Sequence, residues 1–521
     1  MSPEAEPFTA PDPRAGGPPD PRPSAAAWWQ RSARQLAAGY ADGSASPVDV
    51  VEAVIERAGP VDERLNVFAH RAFDQARASA AASADRWRRG TPLSPFDGVP
   101  LTVKDNIPVA GMPCAWGSRV FRQLVPERDE LCVRRLRAGG WVILGKSNVS
   151  EFTLGLGNVS TLLHGTTRNP WNPALTTGAS TGGGAAAVAA GVGPVALGTD
   201  GGGSIRWPAG YCGLVALKPT VGRIARLDGL PTVLHDLEVV APVARTVADL
   251  AALLGAVAGP DPRDRRSLGV PDEPLGAGGS AAGRRPLRIR LVGRFGDYPV
   301  EPAVNTSLLA AADRLTALGH HVETGEVPFD FGRFDAHWRT IGTTGLAWLL
   351  RDRDGWRDEV ADIYPPMVEH GASLTAVDYV SALDTFRELF AQLAEFFTGE
   401  ESGSPTDLLL TPVAGAMPWA ADQLAPPYQR VFTGIANATG VPALSLPGPP
   451  SRDGMPVGFQ LIGRYGADRA LLDLARAYEA AYGWADRWPD LAAPSSAPAQ
   501  PRPSDRPADV DASPNSPSKG A

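Results

Sequence analysis

Serines and glycines in two short runs are where this sequence can do chemistry. The runs are TTGASTGGGAAAVAAG, residues 176–191, and LGTDGGGSIRWPAGYCGLVALKPTVGR, residues 197–223. Three consecutive glycines precede Ser204. Such a run loses much backbone entropy on folding. A surface linker tolerates that loss, but this run leads directly into Ile-Arg-Trp-Pro and the strand-like GLVALKPT. Glycines enclosed in a core signal close approach of the backbone to something else. Successive N–H groups pointing the same way form an anion-binding nest. Beside a serine hydroxyl, that nest is an oxyanion hole for acyl transfer.

Two other patterns compete. GWVILGKS, residues 140–147, fits G-x4-G-K-[ST]. A phosphate loop follows a strand and needs small residues that curl around phosphates. Here the four middle residues are Trp, Val, Ile and Leu, so the stretch reads as a buried strand ending at a glycine turn. GASTG, residues 178–182, fits G-x-S-x-G. A nucleophile elbow needs a strand before it and a helix after it. The helix is present, but the preceding RNPWNPALTT is turn-rich. The seven histidines are no better placed. His320 and His321 fall at a helix end, and His70, His164, His235, His337 and His370 have no metal-like spacing. No metal site is expected. The three cysteines, Cys114, Cys132 and Cys212, form no C-x-x-C pair, which argues against zinc or a disulfide framework. They suit a reducing cytosol.

The elements that must position the two runs alternate between helix and strand. AAAWWQRSARQLAAGY and PVDVVEAVIERAGPVDERLN read as amphipathic helices. GVPLTVKD, WVILGKSN, PVALGTD and LRIRLVG read as strands, while GGGAAAVAAGVG and VNTSLLAAADRLTALGH read as helices. This alternation predicts an α/β fold: one large domain with a mixed, mostly parallel sheet covered by helices on both faces. The Trp- and acid-rich stretch 330–400 reads as mostly helical and forms a cap or wall. Residues 1–24 and 488–521 are rich in Pro, Gly, Ser and Asp and are expected to be disordered tails. The domain then spans 25–487, with 261–286 as a surface loop inside it.

The chain has 521 residues and a net charge of -8. That charge has none of the basic footprint of a nucleic-acid binder. The N-terminus has neither a basic nor an apolar region of the kind a signal peptide needs. The longest apolar stretch, AAAVAAGVGPVALG, is too short and too broken to span a membrane. A cytoplasmic protein is expected.

The stretch 178–210, ending TDGGGSIRWPAG, resembles the signature of the amidase signature family. DGVPLTVKDNIPVAGMP (97–113), GKSNVSEF (145–152), TTRNPWNP (166–173), CGLVALKPTVGR (212–223) and VARTVADLAALLGAVAGPDPRD (243–264) fit it in order. LLLTPVAGAMP (408–418) and FTGIANATGVPALSLPGPPSRDGMPVGFQLIGR (432–464) follow. The resemblance spans roughly residues 25–487. It implies the amidase signature fold and a Ser–cis-Ser–Lys triad. Lys104 in TVKDN matches the base, Ser180 the bridging serine with a cis peptide, and Ser204 in GGGS the nucleophile, with the family's spacing of 204 − 180 = 24. The N–H groups of Gly201, Gly202, Gly203 and Ser204 would form the oxyanion hole. Asp200 and Arg206 could pair to hold the loop, and Thr181 could hydrogen-bond within it. Trp171 and Trp207 read as packing. The family commonly has GGSSGGS where this chain has GASTGGG, so a hydroxyl is kept at Thr181 while Ala179 and Gly184 differ.

The implied reaction is hydrolysis of a carboxamide C–N bond through a serine acyl-enzyme, without cofactor. The expected partner is a small-molecule amide, with no nucleic acid and no membrane, and a homodimer is the oligomeric form left open. One family branch is the glutamine-hydrolysing A subunit of a tRNA-dependent amidotransferase. That branch has TDTGGSIRQPA and an SSLDQ-like stretch, whereas this chain has TDGGGSIRWPA and then LPTVLHDLEVVAPVARTV. A freestanding amidase is therefore favoured, with an acyltransferase on the same triad as a further alternative. Pocket walls are expected from 225–240 and 330–420, where Trp338, Trp348, Trp356 and Tyr364 fit an apolar or aromatic acyl pocket and core packing equally well.

Overall fold

Along VALGTD, residues 195–200, successive side chains point to opposite faces of a strand. Val195 and Leu197 enter one core with Leu250, Leu253 and Leu254 of the helix Val247–Val257. Ala196 enters another with Ala185, Val188 and Ala189 of the helix Gly182–Ala189. A strand buried on both faces needs helices on both sides, and this alternation repeats across the sheet. The computed structural model describes residues 25–155, 157–271, 275, 285–400, 403–426 and 431–491.

The strands, in chain order, are β1 (Phe68–Arg71), β2 (Pro100–Lys104), β3 (Val142–Ser147), β4 (Ser160–Thr161), β5 (Gly165–Thr166), β6 (Val195–Asp200) and β7 (Val215–Lys218). They continue with β8 (Val239–Ala244), β9 (Arg288–Leu291), β10 (His321–Thr324), β11 (Leu408–Pro412), β12 (Ala443–Pro447) and β13 (Gly458–Gly463). Eleven form one sheet in the order β1-β3-β2-β6-β8-β7-β12-β13-β11-β9-β10, and β4 pairs β5 apart from it. This is the expected single domain with a large mixed sheet under helices. Parallel pairing lies in two blocks, β3-β2-β6 and β11-β9-β10. The strands between them, and β1 at the edge, pair antiparallel. The helix–strand alternation of the sequence marks the parallel blocks. It passes over β7, β8, β12 and β13, which return without a crossover helix between β7 and β8 or between β12 and β13.

The stretch 330–400 is helical, with helices Phe331–Leu350, Tyr364–Ser373 and Ala376–Thr398 and a short 3-10 turn Trp356–Glu359. GWVILGKS runs as β3 from Val142 to its last residue, passing through Gly145 rather than ending at a glycine turn, and GASTG follows irregular backbone rather than a core strand. Among the described residues no helix is long and apolar enough to cross a membrane. Residues 1–24 and 492–521 lie outside the described residues. Residues 488–491, assigned to the tail from composition, pack on the fold instead. Trp488 meets the Trp29 ring and lies under the Arg245 guanidinium at 3.5 Å. The 261–286 loop is also anchored where it is described, by buried Asp264, Ser267, Val270 and Leu275.

The small-residue helix Gly182–Ala189 lies flush against its neighbours. A Cβ at Gly183 would meet Asn148 N and O at 2.5 Å and Val67 O at 2.7 Å. All three are backbone atoms, so relief requires moving a strand end. Gly183→Ala is expected to destabilise the protein by about 1–3 kcal/mol, read as a lower urea midpoint with unchanged slope. An unchanged midpoint would mean that the helix can shift freely.

Candidate active site

β2 delivers Lys104 to the interior. All five of its residues are buried, and Lys104 is 0% exposed. β6 runs beside it and ends at Asp200, from which residues 201–205 lead into the helix Arg206–Cys212. The 176–181 loop comes from the other side and enters Gly182–Ala189. Lys104 Nζ lies 2.8 Å from Ser180 Oγ, 2.8 Å from Thr199 Oγ1 and 3.1 Å from Thr199 O. The Ala179–Ser180 peptide is cis. The Thr181 N–H donates to Ser204 O at 3.0 Å, and its hydroxyl donates to Thr199 O at 3.1 Å. The first bond joins the Ser180 loop to the Ser204 loop, and the second joins it to the end of β6. Ser180 and Thr181 are buried, whereas Ser204 is half-buried.

Burial lowers the Lys104 amine to about 7, because water no longer solvates the ammonium. The carboxylates of Glu238 and Asp200 act in the opposite direction, and Arg226 adds to the lowering. The chain has four lysines, and Lys104, Lys146 and Lys218 are fully buried. Lys519 lies outside the described residues. Among the described residues exposed positive charge is carried by arginine, which holds its proton in nearly any setting.

Each of the three glycines before Ser204 has something pressed against it. A Cβ would meet Leu234 Cδ1 at 2.4 Å on Gly201, Trp338 at 3.0 Å on Gly202, and Thr433 Oγ1 at 2.3 Å on Gly203. Gly203 also has φ +113°, a left-handed conformation that side chains resist. Its N–H donates to Asp200 Oδ1 at 2.7 Å. The four-donor oxyanion hole expected from the sequence is therefore corrected at Gly203, whose N–H turns inward to a carboxylate.

Asp200 and Arg206 pair as expected, and both are 0% exposed. Arg206 Nη2 and Nε reach Asp200 Oδ1 and Oδ2 at 2.9 and 3.0 Å. The guanidinium also reaches Asn437 Oδ1, Gln460 Oε1 and Thr433 O at 2.6, 2.9 and 3.0 Å. Asn437 Nδ2 returns to Asp200 O at 2.9 Å, and the Thr433 hydroxyl donates to Gly202 O at 2.6 Å. Burial alone would raise the Asp200 carboxyl, but Arg206 and the Gly203 N–H hold it well below the usual carboxylate range.

Trp207 Nε1 donates to Val413 O and Trp171 Nε1 to Cys212 O, both at 2.9 Å, so both are packing residues. Of the expected pocket aromatics, Trp338 lies at the site. Tyr364 is core, with its hydroxyl on Glu151 O at 2.9 Å, and Trp348 is 48% exposed. Leu234 of the 225–240 stretch packs beside Trp338 against the same glycine run. Asn106, Thr199, Glu238 and Arg226 escaped the sequence reading. Asn106 stands two residues after Lys104, and Thr199 immediately before Asp200, so both lay inside quoted motifs. Among the described residues no group of three or more His, Cys, Asp or Glu could hold a metal.

Arg206→Met would leave Asp200 buried without its cation. A loss of about 3–5 kcal/mol is expected in urea unfolding at neutral pH. The Asp200 carboxyl is depressed in the fold, so the contribution is present above the unfolded pKa of about 4 and fades as pH falls. The gap between variant and wild type should narrow on acidification. Equal stability at neutral pH would contradict the pairing.

A family model described as Amidase matches residues 49–472. The A subunit of glutamyl-tRNA(Gln) amidotransferase from Synechococcus sp. is 34% identical over 464 residues, covering 84% of this chain and 94% of that protein. Its counterpart from Chloroflexus aggregans is 34% identical over 476 residues, covering 86% and 95%. A 6-aminohexanoate cyclic dimer hydrolase complexed with substrate superposes with TM-score 0.80 at 28% identity, covering 89% of this chain and 99% of that one. A bacterial aryl acylamidase of the amidase signature family gives 0.78 at 27%, covering 87% and 97%. With the fold, the ordered motifs and the relatives in agreement, the chain belongs to the amidase signature family and is an enzyme that hydrolyses an amide C–N bond.

Proposed function

We propose that the chain is a freestanding cytoplasmic amidase for a small-molecule amide with an apolar or aromatic acyl group, with Ser204 as nucleophile, Ser180 as proton relay and Lys104 as base. The observation that carries this reading is the 2.8 Å contact between Lys104 Nζ and Ser180 Oγ at a buried amine. An amide is a poor electrophile and a serine hydroxyl a weak nucleophile, so a base is required. A neutral amine near pH 7 is such a base. It takes the Ser180 proton while Ser180 takes that of Ser204. Ser204 Oγ attacks the carbonyl carbon, and the N–H groups of Gly201, Gly202 and Ser204 stabilise the oxyanion. The relay then protonates the leaving nitrogen, ammonia or an amine departs, and water cleaves the acyl-enzyme to a carboxylic acid. Asp200, Arg206 and Thr181 hold the loop that carries the nucleophile.

Leu234 and Trp338 against Gly201 and Gly202 support an apolar acyl group. A second reading, a glutamine-hydrolysing A subunit, is supported by the 34% identity to such subunits over 84% of the chain. Ammonia release from aliphatic, aromatic and amino-acid amides, with glutamine included, separates the two. Hydroxamate formation with added hydroxylamine detects acyl transfer, and the elution volume of the same preparation reports a homodimer. Ser204→Ala is expected to lower turnover by roughly 10⁴-fold or more, and Lys104→Ala comparably. Because Lys104 must be unprotonated, kcat/KM should rise through pH 7 and level off above it. Full activity in Ser204→Ala would overturn the assignment.

A further inference from the structure

Lys104 is not the last member of its hydrogen-bonded chain. Thr199 Oγ1, 2.8 Å from Lys104 Nζ, also lies 3.1 Å from Asn106 Nδ2. Asn106 Nδ2 in turn faces Glu238 Oε1 at 3.5 Å. Glu238 is held by Arg226 Nη1 at 3.1 Å and stands 3.3 Å from the Thr153 hydroxyl. Arg226 is itself fixed by Glu130, 2.8 Å from its Nε. The Asn106 Oδ1 atom is buried without a hydrogen-bond partner among the described residues. An unpaired buried carbonyl disfavours that amide orientation. The opposite orientation would place the oxygen against the Glu238 carboxylate. The negative charge of Glu238 therefore keeps the amide donors toward Thr199.

We propose that Glu238, with Arg226, is a positioning pair for the base, acting on Lys104 through Asn106 and Thr199. This rests on the reading of Lys104 as the base. With the Asn106 donors on one side, Thr199 Oγ1 offers a lone pair to the Lys104 ammonium. That ammonium then has three acceptors, Ser180 Oγ, Thr199 Oγ1 and Thr199 O. The carboxylate also favours the ammonium through space, and Arg226 opposes it. The charged groups around the amine are thus Glu238, Asp200 and Arg226, with Asp200 matched to Arg206 and Arg226 shared with Glu130. The pair lets the buried amine hold a proton after attack on the amide without holding it permanently. The stretch 225–240 thereby contributes to proton transfer as well as to the pocket wall.

The test is the rate of fluorophosphonate labelling against pH, since it needs no knowledge of the substrate. Wild type, Glu238→Gln, Glu238→Asp, Arg226→Gln and Ser204→Ala are compared. Glu238→Gln should move the acidic limb down by about one pH unit, Arg226→Gln should move it up, and Glu238→Asp should leave it near the wild-type position. A merely structural role would alter the amplitude and leave the midpoint in place. An unmoved limb in Glu238→Gln, with labelling still dependent on Ser204, would overturn the proposal. If Glu238→Gln does not fold, the upward shift in Arg226→Gln decides, and its absence overturns the proposal equally. Wild-type labelling that persists in Ser204→Ala would instead overturn the nucleophile assignment beneath it.

Discussion

A lysine amine without water is the condition around which this molecule is organised. An ammonium in a dry interior is strongly disfavoured, and the amine answers by giving up its proton near neutrality. That outcome requires β2 to be enclosed on both faces, so the large sheet with helices above and below is the means of drying Lys104. It also requires the few groups that touch the amine to be acceptors and hydroxyls rather than a carboxylate. Ser180 and Thr199 meet that need. The carboxylates Asp200 and Glu238 stand further out, Glu238 beyond Thr199 and Asn106, and each is paired to an arginine.

The loop that carries Ser204 is held by different means. Its backbone bends sharply, and its glycines lie against Leu234, Trp338 and Thr433 without room for a side chain. A loop so poor in side chains cannot hold itself. Asp200 and Arg206 hold it from beneath, and Arg206 ties it to Thr433, Asn437 and Gln460, far along the chain. The C-terminal motifs are thus part of the support of Ser204. The placement of the cap follows the same logic, because Trp338 brings the helical stretch 330–400 directly onto Gly202.

Much of this was legible in the sequence where local pattern and chemistry coincide. The apolar run LTVK announced a buried strand, the GGGS run a special backbone, and the ordered motifs the family. The Asp200–Arg206 pair was legible because both residues flank Ser204. What escaped depends on contacts between distant segments. Glu238 and Arg226 sit in a stretch without a recognisable motif, and only folding brings them to Asn106. Gly203 was counted among the oxyanion donors because a sequence shows that a glycine is present, not which way its N–H points. The antiparallel middle of the sheet was hidden for a related reason: β7, β8, β12 and β13 read as apolar runs that do not reveal their direction. Trp488 was assigned to the tail because its neighbours are Pro, Asp and Ala, while its partners Trp29 and Arg245 are hundreds of residues away.

Catalysis through Lys104 requires its amine to be neutral when the enzyme works. With four lysines in the chain, selective ¹³Cε and ¹⁵Nζ labelling gives a spectrum simple enough to titrate directly. Burial also brings Lys218 to about 7, so Lys104→Met is needed for assignment. The expected result is a lysine signal that titrates near pH 7 and vanishes in Lys104→Met. A Lys104 signal that stays charged until about pH 10, the ordinary lysine range, would contradict it.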